Sequence, residues 1–300
     1  MLNKKNNPLV SIVIPTYNRA NFLKKAIDSV LNQTYSKLEL IIVDDHSTDN
    51  TDKIISSYND ERLKYLKNNS KGIIASSRNM GIRNSRGEWI AFLDSDDWWT
   101  LDKLEICLKD INEETDFIYH DLEIIYDKTN SFLKRRDNIG RELKKPILND
   151  LLIGGINVGN AIGNSSVIVR KNILTRIGGI NENKNLVASE DYNTWLRIAK
   201  ITDKFKYFKK KLGYYLVHDN SVQKRDLSIP HRIAVNDFME FFNKQQKLSL
   251  EVKLRYMSGN YNVIIKNYTR AKQDFMFVLK NAGIKMKIRS FMKTILIILK

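Results

Sequence analysis

The end of one apolar segment constrains this chain more than any other feature. Five consecutive apolar residues, Trp89 to Leu93, are followed within four positions by Asp94, Asp96 and Asp97. A continuous apolar run predicts a strand buried on both faces, as in a parallel sheet covered by helices. Three like charges at its end repel one another, and a divalent cation with oxygen ligands would relieve that repulsion. We therefore predict a site for Mn²⁺ or Mg²⁺ there; the alternative is that an acidic residue only caps the following helix.

The first hundred residues repeat a strand followed by a helix. Apolar runs at 9–15, 38–43 and 63–66 each precede a segment with helical spacing of apolar residues. Three such alternations predict an α/β fold with parallel strands and right-handed crossovers. Because ligands bind at the carboxyl ends of parallel strands, the polar loop Thr16 to Arg19 and the pair Asp44 and Asp45 should share one rim of the sheet with Asp94.

The sequence lacks the Gly-rich loops that bind phosphates through backbone N–H groups. Neither G-x-G-x-x-G after the first strand nor G-x-x-x-x-G-K-[ST] occurs. This argues against a dinucleotide-dependent dehydrogenase and against a P-loop enzyme. A diphosphate bound here would have to be neutralised by a metal ion and by basic side chains.

The middle of the chain carries weaker signals. The four glycines between Ile153 and Asn164 predict turns and close backbone approach. The charged segment Asp127 to Lys145 predicts either a loop over the site or a pair of surface hairpin strands. Glu190 and Asp191 stand directly before a predicted helix, so they either serve its N-terminus or face the site. His218 ends a predicted strand and is either structural or a ligand.

Composition limits the compartment and the partners. The chain has 300 residues, a net charge of +16 and one cysteine, Cys107, which lies among apolar residues and is predicted to be a buried structural thiol. No apolar segment has the length of a signal peptide or a spanning helix, so we expect a cytoplasmic protein. The positive charge favours an anionic partner such as nucleic acid, an acidic membrane surface or a phosphorylated ligand.

The character of the chain changes near Pro230, beyond which only helical spacing is found. We therefore predict two parts, residues 1–226 and a helical region at 227–300. Lys280 to Lys300 contains six basic residues and no acidic one. One helical face carries Ile284, Ile288, Phe291, Ile295 and Leu299, flanked by Lys285, Arg289 and Lys293. This pattern predicts a helix at the interface of an anionic membrane, and the alternative is a helix packed on its neighbour or on another copy of the chain.

Six segments in order resemble glycosyltransferase family 2, the inverting enzymes with the GT-A fold. The resemblance covers about residues 8 to 225, and the segments are Val10–Arg19, Ile42–Asp49, Ala75–Gly81, Phe92–Asp97, Ile177–Glu182 and Ser189–Asp191. It implies a GT-A nucleotide-diphospho-sugar transferase fold, a Rossmann-like mixed sheet flanked by helices, with a helical C-terminal extension. It also implies transfer of a sugar from a nucleotide-diphosphate donor, with UDP favoured as the nucleotide.

The resemblance assigns roles to individual residues. By similarity, Asp191 is the catalytic base beside Glu190, and His218 closes a loop over the diphosphate at the metal. Asp94-Ser95-Asp96 is the family's D-x-D motif, with Asp96 and Asp97 at the metal and ribose. The residues expected at the nucleotide are Pro15, Thr16, Tyr17, Asn18, Arg19, Asp45 and Arg78. One departure is His46, where glycine is common in the family.

Two other classes of function compete with the transferase. A metal-dependent phosphohydrolase of the haloacid dehalogenase type also carries D-x-D after a strand, but usually after its first strand. A non-enzymatic module for nucleic acid or membrane would follow from the positive charge, yet acidic strand ends would repel phosphates. We therefore expect no nucleic-acid partner. The predicted acceptor is a glycan or a polyprenyl-linked sugar in cell-surface polysaccharide synthesis, used at the inner face of the cell membrane.

Overall fold

The computed structural model describes residues 7–109, 111–127, 137–157, 159–218 and 226–298. Its strands are β1 (Val10–Thr16), β2 (Leu38–Asp44), β3 (Leu63–Lys67), β4 (Trp89–Phe92), β5 (Trp98–Trp99), β6 (Phe117–Tyr126), β7 (Asn138–Ile139), β8 (Ile168–Arg170) and β9 (Phe205–Val217). Its α-helices are α1 (Ala20–Leu31), α2 (Thr51–Ser56), α3 (Ile74–Asn84), α4 (Lys103–Leu108), α5 (Ile147–Asn157), α6 (Lys171–Arg176), α7 (Glu190–Ala199), α8 (Ser228–Asn236), α9 (Lys244–Ile264), α10 (Tyr268–Asn281) and α11 (Ile284–Ile298).

One mixed sheet organises the described residues. The strand order is β3-β2-β1-β4-β8-β6-β9-β5, and β7 pairs with β6. The first four strands in this order run parallel, as the alternation of strands and helices predicts. Strand β8 then runs antiparallel to β4, so the sheet is mixed. The carboxyl ends of β1, β2 and β4 lie side by side, which places the polar loops that follow them along one rim.

Helices cover both faces of the sheet. On β4, Trp89 and Ala91 pack in one hydrophobic cluster with α1 and α4, whereas Ile90 and Phe92 pack in another with α3 and α7. All four side chains are fully buried, which confirms the prediction of a strand covered on both faces. Cys107 lies in the first cluster and is fully buried. Burial raises the pKa of its thiol to about 12, in agreement with a structural role.

The glycine-rich segment is partly helical, which corrects the prediction of turns from Ile153 to Asn164. Helix α5 extends to Asn157 and contains Gly154 and Gly155. A Cβ atom at Gly155 would overlap the Tyr192 hydroxyl, so the glycine is needed for a close approach between α5 and α7. The predicted close approach was right, but it occurs within a helix.

The sequence prediction missed one strand, β5, and made another, β9, too short. The apolar segment Leu212 to His218 predicts a strand by sequence. Strand β9 begins seven residues earlier, at Phe205, because it pairs with β6 along its length. Strand β5 consists of Trp98 and Trp99 and pairs with the far end of β9. In the segment Asp127 to Lys145, Ile139 of β7 pairs with β6 in a hairpin arrangement, and residues 128–136 lie outside the described residues.

The helical C-terminal region begins inside the core of the preceding part. Ala234, Phe238 and Leu250 belong to the same hydrophobic cluster as Trp195 of α7. Helices α9, α10 and α11 then follow one another, joined by short turns, and α10 contacts both of the others. The division at residues 226 and 227 stays a prediction. In the described part of the chain, no helix combines the length and the apolarity that crossing a bilayer would require.

Candidate active site

The loops after β1 and β2 form one wall of the site and are bonded to each other. Asn18 has a positive φ of 50°, and its side-chain oxygen accepts a hydrogen bond of 2.7 Å from the backbone N–H of Thr48. The backbone N–H of Asn18 donates to the Ser47 hydroxyl at 2.8 Å. His46 also has a positive φ, 61°. Glycine adopts this conformation most easily, which explains why it is common at this position in the family that the sequence resembles. Pro15 and Thr16 end β1, and Tyr17 is exposed at the rim.

Asp45 lies at this rim and organises the loop before α3. Its carboxylate accepts hydrogen bonds from the backbone N–H of Ser70 at 2.5 Å, from the Ser70 hydroxyl at 2.8 Å and from the N–H of Gly72 at 2.7 Å. Its backbone N–H donates to the carbonyl of Thr16 at 2.9 Å. Asp45 therefore ties the end of β2 to β1 and to the loop that precedes α3. Its predicted contact with the nucleotide stays a prediction.

The segment Asp94 to Asp97, which contains the D-x-D motif, places its three aspartates in different surroundings. Asp94 is partly exposed and accepts hydrogen bonds from Arg78 at 2.7 Å and from Asn164 at 2.9 Å. Asp97 is turned inward, where the Ser165 hydroxyl at 2.5 Å and the backbone N–H of Leu216 at 3.0 Å occupy its two oxygens. Burial and the neighbouring negative charges of the motif raise the pKa of Asp97 well above its usual value. Asp96 and Asp97 are the predicted carboxylate ligands of the metal, and Asp96 is the more accessible of the two.

Asp96 lies between two basic side chains. His218 Nε2 is 3.0 Å from Asp96 Oδ2, and Arg19 Nε is 3.9 Å from the same oxygen. The His218 ring stacks on Phe22 of α1 with 4.9 Å between ring centres, which fixes the ring beside the carboxylate. The fold thus brings together Arg19, Asp96 and His218, which the sequence separates by up to 199 positions.

A cavity of about 290 Å³ opens next to Asp96. Its wall includes Phe22, Lys25 and Trp98. The ammonium group of Lys25 lies 3.1 Å from the centre of the Trp98 ring. The cavity therefore has a carboxylate and a cation on its wall, which suits a ligand that carries phosphate and metal together.

The described residues do not form a complete set of metal ligands by themselves. Among the described residues, no group of three or more His, Cys, Asp and Glu side chains converges on one point. Asp96 and His218 provide one carboxylate oxygen and one imidazole nitrogen 3.0 Å apart. This donor set fits Mn²⁺, which accepts both oxygen and imidazole ligands, when the diphosphate of a substrate supplies further oxygens.

Arg78 joins the D-x-D motif to the Glu190-Asp191 pair. The guanidinium group is buried and donates to Asp94 at 2.7 Å and to Glu190 at 2.6 Å. These two carboxylates raise the pKa of Arg78, which therefore stays charged despite its burial. Among the described residues, nothing donates a hydrogen bond to the second oxygen of Glu190, Oε2. The two acidic motifs, about 96 positions apart in the sequence, thus belong to a single site.

Asp191 is the second residue of α7 and has an environment suited to a base. Its Oδ2 accepts a hydrogen bond of 2.9 Å from the Asn160 side chain, and its Oδ1 accepts one of 2.6 Å from the backbone N–H of Tyr192. Burial, and next the charge of Glu190, raise the pKa of Asp191 to about 7. Arg78 acts in the opposite direction. A carboxylate with a pKa near neutrality can accept a proton efficiently at physiological pH.

Asn160, Asn164 and Ser165 belong to the site but were not singled out from the sequence. Asn160 contacts Asp191, Asn164 contacts Asp94, and Ser165 contacts Asp97. The segment that carries them therefore touches the carboxylates of both acidic motifs. Its glycines were the available sequence signal, since they indicated a close backbone approach without identifying the partners.

A family model for glycosyl transferase family 2 matches residues 11–174, more than half of the chain. The chain belongs to glycosyl transferase family 2. The match confirms the family resemblance, and it covers the first four of the six sequence segments, whereas the last two lie beyond residue 174.

Two curated proteins are similar in sequence to this family member. It is 32% identical over 205 residues to an uncharacterized glycosyltransferase of Rickettsia typhi, covering 65% of this chain and 60% of that protein. It is 32% identical over 214 residues to the Escherichia coli UDP-Glc:alpha-D-GlcNAc-diphosphoundecaprenol beta-1,3-glucosyltransferase WfaP, covering 71% of this chain and 79% of WfaP.

The solved structures establish the fold. S. aureus TarS 1–349 in complex with UDP-GlcNAc aligns with a TM-score of 0.64 at 17% identity, covering 92% of this chain and 82% of TarS 1–349. The Pyrobaculum calidifontis mannosyltransferase PcManGT in complex with GDP-Man and Mn²⁺ aligns with a TM-score of 0.62 at 16% identity, covering 99% of this chain and 82% of PcManGT. This family 2 chain therefore has the predicted GT-A fold, with additional C-terminal helices.

Proposed function

We propose that this family 2 protein is an inverting glycosyltransferase that moves a sugar from a UDP-sugar to a hydroxyl group of a lipid-linked acceptor. The observation that carries the proposal is the bridge of Arg78 between Asp94 and Glu190, 2.7 Å and 2.6 Å long. This bridge brings the base candidate Asp191 to the same site as the D-x-D motif. The names of WfaP and of the TarS complex support UDP as the nucleotide.

In the proposed reaction the acceptor oxygen attacks the anomeric carbon of the donor sugar. The new bond joins that oxygen to the carbon, and the bond from the carbon to the diphosphate oxygen breaks with its electron pair. Asp191 takes the proton of the acceptor hydroxyl, and the nucleoside diphosphate leaves on the opposite face of the sugar. One displacement inverts the anomeric configuration, so no covalent nucleophile is needed. Glu190 Oε2, which lacks a partner among the described residues, is assigned to a hydroxyl of the donor sugar.

We assign the metal to Asp96 and His218, with Arg19 and Lys25 as the basic groups nearest the diphosphate. A bound Mn²⁺ would stabilise the charge that develops on the leaving diphosphate. PcManGT was solved with GDP-Man and Mn²⁺, which supports this choice of metal. The nucleotide itself is assigned to Asp45, Arg78 and the segment from Pro15 to Arg19, with Asp94 and Ser95 beside it.

The proposed acceptor carries its sugar on a polyprenyl diphosphate. The name of WfaP describes such an acceptor, GlcNAc-diphosphoundecaprenol. A polyprenyl chain stays in the bilayer, so the enzyme would act at a membrane surface. We place it at the cytoplasmic face, where nucleotide sugars and Mg²⁺ or Mn²⁺ are available.

The test is a transfer assay with purified protein and Mn²⁺. A panel of nucleotide sugars is offered with GlcNAc-diphospholipid, and the released UDP and the glycosylated lipid are measured. We expect Asp191→Asn to lower the transfer rate by about 100-fold or more, because the base is lost, while UDP binding is kept. Asp237→Asn, at an exposed position, is the matched control and should transfer at the wild-type rate.

Two results would contradict the proposal. Transfer by Asp191→Asn at the wild-type rate would remove Asp191 from the base role. Release of inorganic phosphate from phosphomonoesters, without use of any nucleotide sugar, would favour the phosphohydrolase that the D-x-D motif left as an alternative.

A further inference from the structure

Helix α11 packs with its polar side inward and its apolar side outward. Its buried side chains are Ser290 and Thr294, and the Thr294 hydroxyl donates to the backbone carbonyl of Ser290 at 2.9 Å. The outward face is defined by Ile284, Ile288, Phe291, Met292, Ile295 and Leu296, which are between 40% and 79% exposed. A surface helix of a soluble domain normally shows the reverse arrangement. The interpretation of α11 as a helix with its apolar face packed on a neighbour is therefore not what the structure shows.

The outward face is bordered by basic residues. Lys285 and Arg289 are exposed along one border, Lys293 continues that border, and Lys287 lies along the other. The segment 280–300 contains no acidic residue. A second copy of α11 on this face would bring basic borders together, whereas anionic lipid headgroups would be attracted to them. Large apolar groups with lysine and arginine beside them are also the composition of interfacial helices.

We propose that the outward face of α11 docks on an anionic bilayer, with the helix axis parallel to the membrane plane. The inference rests on the proposed function, because it explains how the enzyme would reach an acceptor held in the bilayer. Ile288, Phe291 and Ile295 would enter the acyl boundary, while Lys285 and Arg289 would contact lipid phosphates. At 15 residues, α11 is about 22 Å long, shorter than the roughly 30 Å of a hydrocarbon core, so it lies on the membrane rather than across it.

The test is co-sedimentation of the full chain with vesicles of phosphatidylcholine, with and without phosphatidylglycerol. The wild type should bind the phosphatidylglycerol vesicles and be released at high salt. Phe291→Glu should abolish binding, and Arg289→Gln should weaken it about fivefold. Ile264→Glu, at a 63% exposed position at the end of α9, is the matched control and should bind like the wild type. All three side chains are exposed on helices, so circular dichroism should show unchanged folding.

Three outcomes would overturn the proposal that α11 docks on an anionic bilayer. These are equal binding of wild type and Phe291→Glu, equal binding to vesicles with and without phosphatidylglycerol, and a wild-type dimer that Phe291→Glu dissociates without any vesicle binding. The last outcome would make the face an interface between two copies of the chain.

A second assay separates this proposal from the proposed function. In solution, Phe291→Glu should hydrolyse the donor sugar at the same slow rate as the wild type. It should lose transfer to acceptor that is embedded in vesicles. If the wild type uses no nucleotide sugar in either assay while vesicle binding still depends on Phe291, the proposed function fails and the docking surface stands. If transfer to the embedded acceptor is equal in both proteins, the docking surface fails and the transferase stands.

Discussion

Glu190 and Asp191 are adjacent acidic residues whose surroundings give them different tasks. Glu190 is paired with the buried Arg78, so its charge is balanced within the protein. Asp191 receives hydrogen bonds from Asn160 and the Tyr192 N–H but makes no ion pair among the described residues. Burial and the charge of Glu190 raise the pKa of Asp191. Glu190 thus balances the charge of Arg78, whereas Asp191 is the residue that can take up a proton.

The raised pKa predicts the pH dependence of transfer. Asp191 acts as a base only when it is ionised, and its pKa is about 7. The rate should therefore be highest above pH 7 and should fall as the pH drops through that value. The measurement is kcat/KM for the donor between about pH 5 and pH 9. A rate that is constant down to the ordinary pKa of an aspartate would show that Asp191 is not the titrating base.

Asn160 is predicted to position Asp191. Its amide is held by the Ile162 N–H on one side and donates to Asp191 on the other, at 3.1 Å and 2.9 Å. Asn160→Ala removes a hydrogen bond to the ionised carboxylate, so the pH profile should move to higher pH. We expect kcat to fall about tenfold, with little change in KM for the donor. Asn185→Ala, at an exposed position, is the control, and an unshifted profile in Asn160→Ala would refute the positioning role.

At the scale of elements, Arg78 couples α3 to the end of β4 and to the start of α7. Arg78→Met would leave Glu190 buried and unpaired, so the free energy of unfolding should fall by about 3 kcal/mol. Adding Glu190→Gln should recover part of that loss, because the uncompensated charge is removed. Urea denaturation measures both effects.

Arg83→Met, on the same helix and exposed, is the control for this series. It should change the free energy of unfolding by no more than about 0.5 kcal/mol. If Arg78→Met behaved like Arg83→Met, the buried bridge would not connect these elements energetically.

The elements that the sequence predicted well are those with local signals. Strands β1, β2 and β4 were recognisable because each is a continuous apolar run. Strand β5 escaped prediction because two tryptophans pair with β9 only through tertiary contact. The start of β9 is rich in lysine and becomes a strand because β6 lies beside it.

The site residues show the same distinction between local sequence signals and tertiary contacts. The acidic strand ends were predicted because they interrupt apolar runs, and the fold places Asp45 and Asp94 along one rim. Asn160 and Asn164 were missed because asparagine has no chemistry that stands out without its partners. The inward orientation of Asp97 was also hidden, since it depends on Ser165 and on the N–H of Leu216.

At the scale of the whole molecule, the proposed metal site is assembled from three distant parts of the chain. Asp96 follows β4, His218 follows β9, and Arg19 precedes α1. A ligand that binds all three parts stabilises only the folded chain. We therefore expect UDP and Mn²⁺ together to raise the melting temperature by about 4 °C at one hundred times their dissociation constants, more than either alone.

The metal dependence of this stabilisation has its own control. His218→Ala should still respond to UDP but should lose most of the additional shift that Mn²⁺ provides, and EDTA should remove that shift from the wild type. Differential scanning fluorimetry measures all of these shifts. Equal shifts in the wild type and His218→Ala would exclude His218 as a ligand.

The burial of Cys107 has a practical consequence. Because this sole thiol of the chain is enclosed between helices and sheet, maleimide dyes should leave the native protein unlabelled. A cysteine introduced at the surface, for example by Ile288→Cys, would then carry a fluorophore at one known position. The emission of such a probe would show directly whether that position passes from water into lipid.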